Sequence, residues 1–264
     1  MNNENSNLSL NIAWLFPEHM STYGDRGNIT VLYQRLKWRN IDVRITPIRF
    51  ETNHKDLENS DLVFGGGAQD RQQTLVAEDL RRRKGSVLKS MFEKGVPGLF
   101  VCGSPQLFGR IYTTGNGEKI TGVGILPIES YHPGEGRPRL IGNLVFDIGE
   151  RFRLPGLPYR HTVVGFENHG GRTYLDREAI PLGKVICGSG NNGEDGLEGV
   201  FWHNCLATYS HGPLLSKNPH LADWLIFTAL RHKYSRKFQK LTLLEDQWEW
   251  QAHDFALHRF LKKR

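Results

Sequence analysis

Apolar residues in this chain fall in short continuous runs, separated by stretches with a helical period or by Gly- and Pro-rich turns. Leu10-Asn11-Ile12-Ala13-Trp14-Leu15-Phe16 reads as a first strand. It leads into Pro17 and a loop, Tyr23-Gly24-Asp25-Arg26-Gly27-Asn28. Ile29, Val31, Leu32 and Leu36, with polar residues between them, then predict a helix ending near Asn40. Asp42 to Ile48 alternates like a second strand, and Asp61-Leu62-Val63-Phe64 predicts a third. Gln69 to Glu93 reads as one long or broken helix. Leu99 to Val101 predicts a buried strand, and an apolar segment able to start a helix follows Cys102.

Downstream, strands are expected at Gly122–Pro127, Arg139–Val145, within Val163–Arg172 (strand then turn), Lys184–Cys187 and Gly199–Tyr209. The stretch Gly188 to Glu198 is rich in Gly, Asn and Asp and reads as a loop outside the core. Asn218-Pro219 starts a helix carrying Leu221, Trp224, Leu225, Phe227 and Leu230. Beyond Arg231, Leu244, Trp248, Phe255 and Leu261 fit one helical face, which is expected to pack on the body. Apolar strands alternating with helices predict an α/β fold: an open, mostly parallel sheet with flanking helices. The expected division is a disordered N-terminus over 1–9, one domain over 10–232, and a basic helical extension over 233–264.

The balance of charge changes this picture little. The 264 residues carry a net charge of +6. Apart from Arg81-Arg82-Arg83-Lys84 and the C-terminus, the basic residues are spread out. No zinc knuckle, RNA-binding aromatic signature or helix-turn-helix pattern accompanies them, so no nucleic-acid partner is expected. Cys102, Cys187 and Cys205 are an odd number without ligand-like spacing. They predict reduced thiols rather than a disulfide framework or a metal site, and hence a cytoplasmic protein. Neither a signal peptide nor a transmembrane segment is expected.

The candidate chemistry centres on Leu99-Phe100-Val101-Cys102-Gly103-Ser104. A strand that stops at a cysteine, followed by small residues and a helix, is the layout of a nucleophile elbow. The turn pushes the sulfur into a cleft. The helix N-terminus favours a thiolate and offers N–H groups to an oxyanion. The competing reading is a buried strand-end cysteine. One α/β unit earlier, Gly65-Gly66-Gly67 follows a strand and reads as an oxyanion loop or a tight turn, not as a phosphate-binding loop. A thiol nucleophile needs a histidine. His211 is the first candidate, because a strand delivers it to the sheet edge, and His169 is its rival. His54, His132, His220, His232, His253 and His258 read as surface residues. Asp25 and Asn28 read either as helix caps or as part of a site at the end of the first strand.

Taken in order, four motifs resemble the class I glutamine amidotransferase (flavodoxin-like) fold. They are Gly-Gly-Gly-x-Gln-Asp, Cys-Gly-x-x-Gln-Leu-x-Gly, Gly-Phe-Glu-Asn-His-Gly-Gly-Arg-Thr and His-Gly-Pro-Leu-Leu-x-Lys-Asn-Pro-x-Leu-Ala-Asp. More narrowly, they resemble the glutaminase subunits of lipid II isoglutaminyl synthase (GatD-type), within the cobyric-acid-synthase-like branch. Tyr-Gly-Asp-Arg-Gly-Asn near the N-terminus fits the same group. The resemblance implies glutamine hydrolysis through a cysteinyl thioester. It makes Cys102 the nucleophile and His211 the base, with Gly66, Gly67 and Gly103 at the oxyanion hole and Arg139 and Gln106 binding L-glutamine. Arg137 and Arg172 are alternative carboxylate clamps.

The resemblance also implies a Mur-ligase-like (MurT-type) partner that holds ATP and magnesium. That partner would amidate the D-glutamate α-carboxylate of lipid II, near the inner membrane surface, to D-isoglutamine. No cofactor or metal is expected in this subunit. Two other readings are an amidotransferase for a cobalamin-type acceptor and a non-catalytic regulatory subunit. Pro213 stands where many class I enzymes carry the acid that orients the histidine. The missing carboxylate is then expected from Asp25, from Glu167 or, by the resemblance, from the partner. Ser104-Pro105 and Phe100 also depart from the family pattern around the cysteine, and Phe100 is expected to crowd the turn.

Overall fold

A computed structural model describes residues 8–134 and 136–262. At its centre lies a six-stranded sheet. Its first four strands are β1 (Ser9–Leu15), β2 (Asp42–Ile48), β3 (Leu62–Gly65) and β4 (Gly98–Val101). Strands β5 (Ile111–Thr113), β6 (Lys119–Thr121), β7 (Ile128–Tyr131), β8 (Leu140–Asp147), β9 (Thr162–His169), β10 (Arg172–Leu175), β11 (Gly183–Cys187) and β12 (Leu197–Glu198) form two smaller four-stranded sheets. The hairpin β13 (Val200–Trp202) and β14 (Cys205–Thr208) returns the chain to the main sheet, whose order is β13-β14-β4-β3-β1-β2. All its pairings are parallel except β13 with β14.

The main sheet has helices on both faces. These are α1 (Arg26–Lys37), the short α2 (His54–Glu58), α3 (Asp70–Asp79), α4 (Gly85–Glu93), the short α5 (Gly103–Phe108) and α6 (Pro219–Tyr234), and α7 (Gln247–Leu261) follows. Leu32 and Leu36 of α1 and Leu221, Leu225 and Leu230 of α6 pack on Ile12, Leu62, Phe64 and Leu99. Leu88, Met91 and Phe92 of α4 and Leu107 and Phe108 of α5 cover Ala13, Leu15, Val63 and Phe100 on the other face. Successive strand residues point to opposite faces, so a sheet buried on both needs apolar residues throughout. Every residue of β3 and β4 is buried.

Several expectations change. Ser9 already belongs to β1, and residues 1–7 lie outside the described residues. The stretch 122–127 is not a strand; the strands flank it as β6 and β7. The long helix after Gln69 is interrupted by a π-helical turn at Leu80–Lys84. The strand expected over Gly199–Tyr209 is a hairpin, turned at His203 with φ +52°. The polar segment before it is not outside the core: Asn191, Asn192 and Glu198 are buried. Asn191 exchanges hydrogen bonds with both the N–H and the carbonyl of Gly199, so its amide replaces a missing backbone ladder.

Phe100 does not crowd the turn at Cys102. It stacks on Phe108 at 4.2 Å, in space left by Gly65 and Gly98. In α7 the apolar pattern misleads, because Trp248 (73% exposed) and Phe255 (65%) face outward. The inner face carries His253 and Ala256, and Trp250 stacks on His220. His220 and His253, read as surface residues, are therefore buried. The C-terminal segment is anchored by charge as well. Buried Arg35 of α1 bonds Asp223 of α6 and Asp246, just before α7. No described helix is long and apolar enough to cross a membrane.

Candidate active site

Four chain segments meet at the C-terminal edge of the main sheet, where open α/β sheets place their sites. Cys102 follows β4 and immediately precedes α5, with φ +55° and ψ −99°. A non-glycine residue in that region is strained by about 1–3 kcal/mol, and such strain is held in place by its surroundings. Here Cys102 N–H donates to the Thr208 carbonyl at 2.8 Å, and Ser104 Oγ donates to the Gly66 carbonyl at 2.7 Å. The departure at Ser104 thus ties the elbow to the glycine loop.

His211 is delivered by the strand β14. It exchanges backbone hydrogen bonds with Phe166 of β9, at 2.7 and 3.3 Å, which pins it between the main sheet and the neighbouring one. Its ring is completely buried. Nδ1 lies 2.9 Å from Asp25 Oδ1, while Nε2 has no hydrogen-bond partner. A carboxylate beside Nδ1 fixes the proton there and leaves Nε2 as the acceptor for another proton. Burial, the largest single influence, pulls the His211 pKa down. The hydrogen bond that Nδ1–H donates to Asp25 and the nearby Cys102 sulfur outweigh it and push the pKa up to about 10. A Cβ added to Gly67 would lie 3.0 Å from His211 Cε1 and 3.4 Å from Cys102 Cβ, so the loop packs tightly against both.

A carboxylate of this chain, that of Asp25, therefore stands at His211 Nδ1, where an acid from a partner subunit was expected. Asp25 is buried, makes no helix-capping bond, and also accepts the Gly67 N–H at 2.7 Å. Glu167, the other internal candidate, is occupied by the N–H groups of Ser189 and Gly190. The whole Tyr23–Asn28 motif serves this arrangement. Thr22 donates twice to the Gly67 carbonyl. Tyr23, at φ +54°, sets its ring edge-on to His211 with centroids 5.0 Å apart. Gly27 leaves room for Pro213, and Asn28 Oδ1 accepts the Leu215 N–H. Pro213, where a carboxylate was missed, is thus the contact that seats the loop bearing Asp25.

In the glycine loop, Gly67 does not offer a free N–H. The Gly67 N–H is taken by Asp25, and Gly66 faces Met20 and Asp25. The N–H beside Gly103 is that of Ala68: a Cβ on Gly103 would come within 2.8 Å of it. That N–H donates to no described residue. Gly103 opens α5, and the first N–H groups of a helix have no partner inside it.

Cys102 also borders a cavity of about 530 Å³, lined among others by Tyr23, Gln73, Gln106, Arg139 and His169. Arg139 Nε and Nη2 donate to the side-chain and main-chain oxygens of Asn168, both at 2.9 Å, and this aligns the guanidinium. Arg172, the alternative clamp, spends its donors on the carbonyls of Pro138, Gly170 and Gly171. Gln106 is fixed between Gln73 and the Tyr209 hydroxyl. His169 lines the same cavity but has no carboxylate within hydrogen-bond distance. Its Nε2 is 3.8 Å from Glu167, and burial holds its pKa below the usual value. His132, read as a surface residue, is also part of the wall. Cys205 is fully buried and its thiol pKa is raised by burial, whereas Cys187 is only half-buried. Asp25 could be found in the sequence only as a polar residue at the end of the first strand. Ala68 carries no sequence signal, because its role is purely a main-chain one.

Comparison with known proteins agrees with this geometry. Residues 11–219 match the CobB/CobQ-like glutamine amidotransferase domain. The chain is 40% identical over 224 residues to the lipid II isoglutaminyl synthase (glutamine-hydrolyzing) subunit GatD of Staphylococcus aureus (strain N315), covering 85% of this chain and 86% of that one. It is 37% identical over 232 residues to the GatD subunit of Streptococcus pneumoniae (strain ATCC BAA-255 / R6), covering 87% and 84%. A solved glutamine amidotransferase superposes with a TM-score of 0.54 at 14% identity, over 83% of this chain and 98% of that one, and shares its fold. The chain belongs to the CobB/CobQ-like glutamine amidotransferase family, in the group of the glutamine-hydrolysing GatD subunits.

Proposed function

We propose that this chain hydrolyses L-glutamine through a thioester on Cys102 and supplies the ammonia to a ligase partner. The observation that carries the reading is the strained Cys102 beside the buried His211–Asp25 pair. In the first half-reaction His211 Nε2 takes the thiol proton, and the sulfur adds to the side-chain carbonyl carbon of glutamine. The resulting oxyanion is received by the N–H groups of Gly103 and Ala68. The imidazolium then protonates the leaving nitrogen, the C–N bond breaks, and ammonia departs. In the second, His211 takes a proton from water, the hydroxide adds to the thioester, and glutamate leaves as the proton returns to sulfur. Asp25 holds the imidazole in the required tautomer and balances its positive charge.

The names of the two GatD relatives support lipid II as the acceptor. We propose in addition that a Mur-ligase-like partner activates the D-glutamate α-carboxylate by means of ATP and magnesium. The glycine loop of this chain lacks the Lys-Ser/Thr ending that holds nucleotide phosphates, which favours placing ATP on the partner. The complex would then work at the inner membrane surface, where its acceptor lies. The experiment is to assay purified chain for glutamate release, then to add the partner, ATP and either lipid II or a cobalamin-type precursor. Glutamate release together with amidation of lipid II alone is the expected result. Amidation of the other acceptor would reject lipid II. No glutamate release with or without the partner would reject the glutaminase and leave a regulatory subunit.

A further inference from the structure

The cavity beside Cys102 contains opposite charges that do not neutralise one another. Arg139 and Asp70 both line it, and neither forms an ion pair with a described residue. Asp70 is the first residue of α3, and Gln73 lies one turn further on the same face. Asp70 Oδ1 accepts the Tyr112 hydroxyl at 2.9 Å, and Oδ2 has only a long contact, 3.4 Å, to the Gly115 N–H. Gln73 is 1% exposed. Its Nε2 donates to the Ala68 carbonyl at 3.1 Å and to Gln106 Oε1 at 2.8 Å, which fixes the orientation of the amide. Its Oε1 is buried without a hydrogen-bond partner among the described residues.

An unpaired buried acceptor costs about 1–3 kcal/mol, so one retained on a cavity wall calls for a donor from outside the chain. A carboxylate one turn away in the same wall calls for that donor to be a cation. A guanidinium in another part of the wall calls for an anion on the same ligand. A free α-amino acid carries both. We infer that Asp70 and Gln73 form the subsite for the α-ammonium group of the amino-acid substrate, complementary to Arg139 at its α-carboxylate. This rests on the glutaminase reading above and specifies how that site selects free glutamine. It also gives a reason for Gln106 to be clamped: Gln106 holds Gln73, and Gln73 Oε1 meets the substrate. Arg71 borders the cavity too, but it is exposed and unanchored, whereas Arg139 is aligned by Asn168.

The test compares hydrolysis of L-glutamine with that of glutaramate, the same molecule without its α-amino group, by wild type and Asp70→Asn. Charge-assisted hydrogen bonds of this kind are worth about tenfold to a hundredfold in binding. Wild type is expected to prefer L-glutamine in kcat/KM by a factor of that order. Asp70→Asn should lose most of that preference, because KM for L-glutamine rises by about tenfold to a hundredfold and any change with glutaramate is smaller. Far-UV circular dichroism monitors folding, and Asp70→Ser, measured in the same cycle, provides a second route should Asp70→Asn misfold. A fall of equal size for both substrates in the folded variants would overturn the subsite. A wild type that hydrolyses neither substrate would instead overturn the glutaminase reading, a separable result.

Discussion

Replacing Asp25 by asparagine removes the charge next to His211 while keeping the shape of the side chain. The carboxamide can still accept one hydrogen bond, from Gly67 N–H. Its NH2 then faces His211 Nδ1 and donates to it, which forces the ring proton onto Nε2, the nitrogen that must accept from Cys102. The rise in the imidazole pKa from 6.5 to about 10 corresponds to about 5 kcal/mol, at about 1.36 kcal/mol per tenfold change in proton affinity. Two groups produce it, Asp25 and the Cys102 sulfur. Losing the carboxylate, and with it the required ring tautomer, should lower kcat/KM by a factor on the order of 10²–10⁴, the range that general acid–base assistance supplies. The imidazolium exists below the His211 pKa. The alkaline limb of the pH–rate profile, near pH 10 in wild type, should therefore move down in the variant, because burial is the main influence left. The assay is glutamate release by the isolated chain across pH 5–11, with circular dichroism as a folding control. Retention of more than a third of wild-type activity with an unmoved alkaline limb would refute the role of Asp25. It would return the search for the carboxylate to a partner subunit.

Other consequences follow from the same geometry. Gly103→Ala places a Cβ 2.7–2.8 Å from the Ala68 carbonyl and N–H; kcat should drop by about 10²–10³, the usual loss of an oxyanion donor, while stoichiometric labelling of Cys102 by an electrophile persists. Arg139→Lys cannot reproduce the bond pair to Asn168 or the fork offered to a carboxylate, and steady-state kinetics should show KM for L-glutamine raised by about tenfold to a hundredfold. Burial pushes the Glu198 carboxyl up to about 7. The folded state thus holds this proton more tightly than the unfolded one, and stability is lost as pH rises from about 4.5 through 7. Glu198→Gln removes this term, and urea unfolding should show the loss between pH 5 and pH 8 smaller by about 2–3 kcal/mol. Asp246→Ala strips one carboxylate from buried Arg35 and should cost about 3–5 kcal/mol in chemical denaturation, with faster proteolysis ahead of α7.

The sequence made the main sheet legible because its central strands β3 and β4 are apolar throughout, β2 alternates and its helices are periodic. The elbow was legible for the same reason: an apolar run that ends on Cys102 has few other uses. Asp25 was harder to assign, since an aspartate ahead of a helix is ordinarily a cap, and only tertiary structure shows it turned toward His211. The segment at 188–198 was misread because polar composition ordinarily means exposure. Here Asn191 and Asn192 are buried by using their amides as backbone partners. The face of α7 was misread because Trp250, His253 and Ala256 pack inward, while the larger apolar residues Trp248 and Phe255 do not. Ala68 and the occupied Gly67 N–H were out of reach, because main-chain direction leaves no mark on residue type.

The central claim is that Cys102 carries the glutamyl group during turnover. The direct measurement is to mix the chain with L-glutamine, quench with acid within the first turnovers, and map the modified peptide by mass spectrometry. The account predicts a hydroxylamine-labile γ-glutamyl adduct on Cys102, none on Cys187 or Cys205, and neither adduct nor glutamate release from Cys102→Ala. Turnover by Cys102→Ala, or an adduct on another residue, would contradict it.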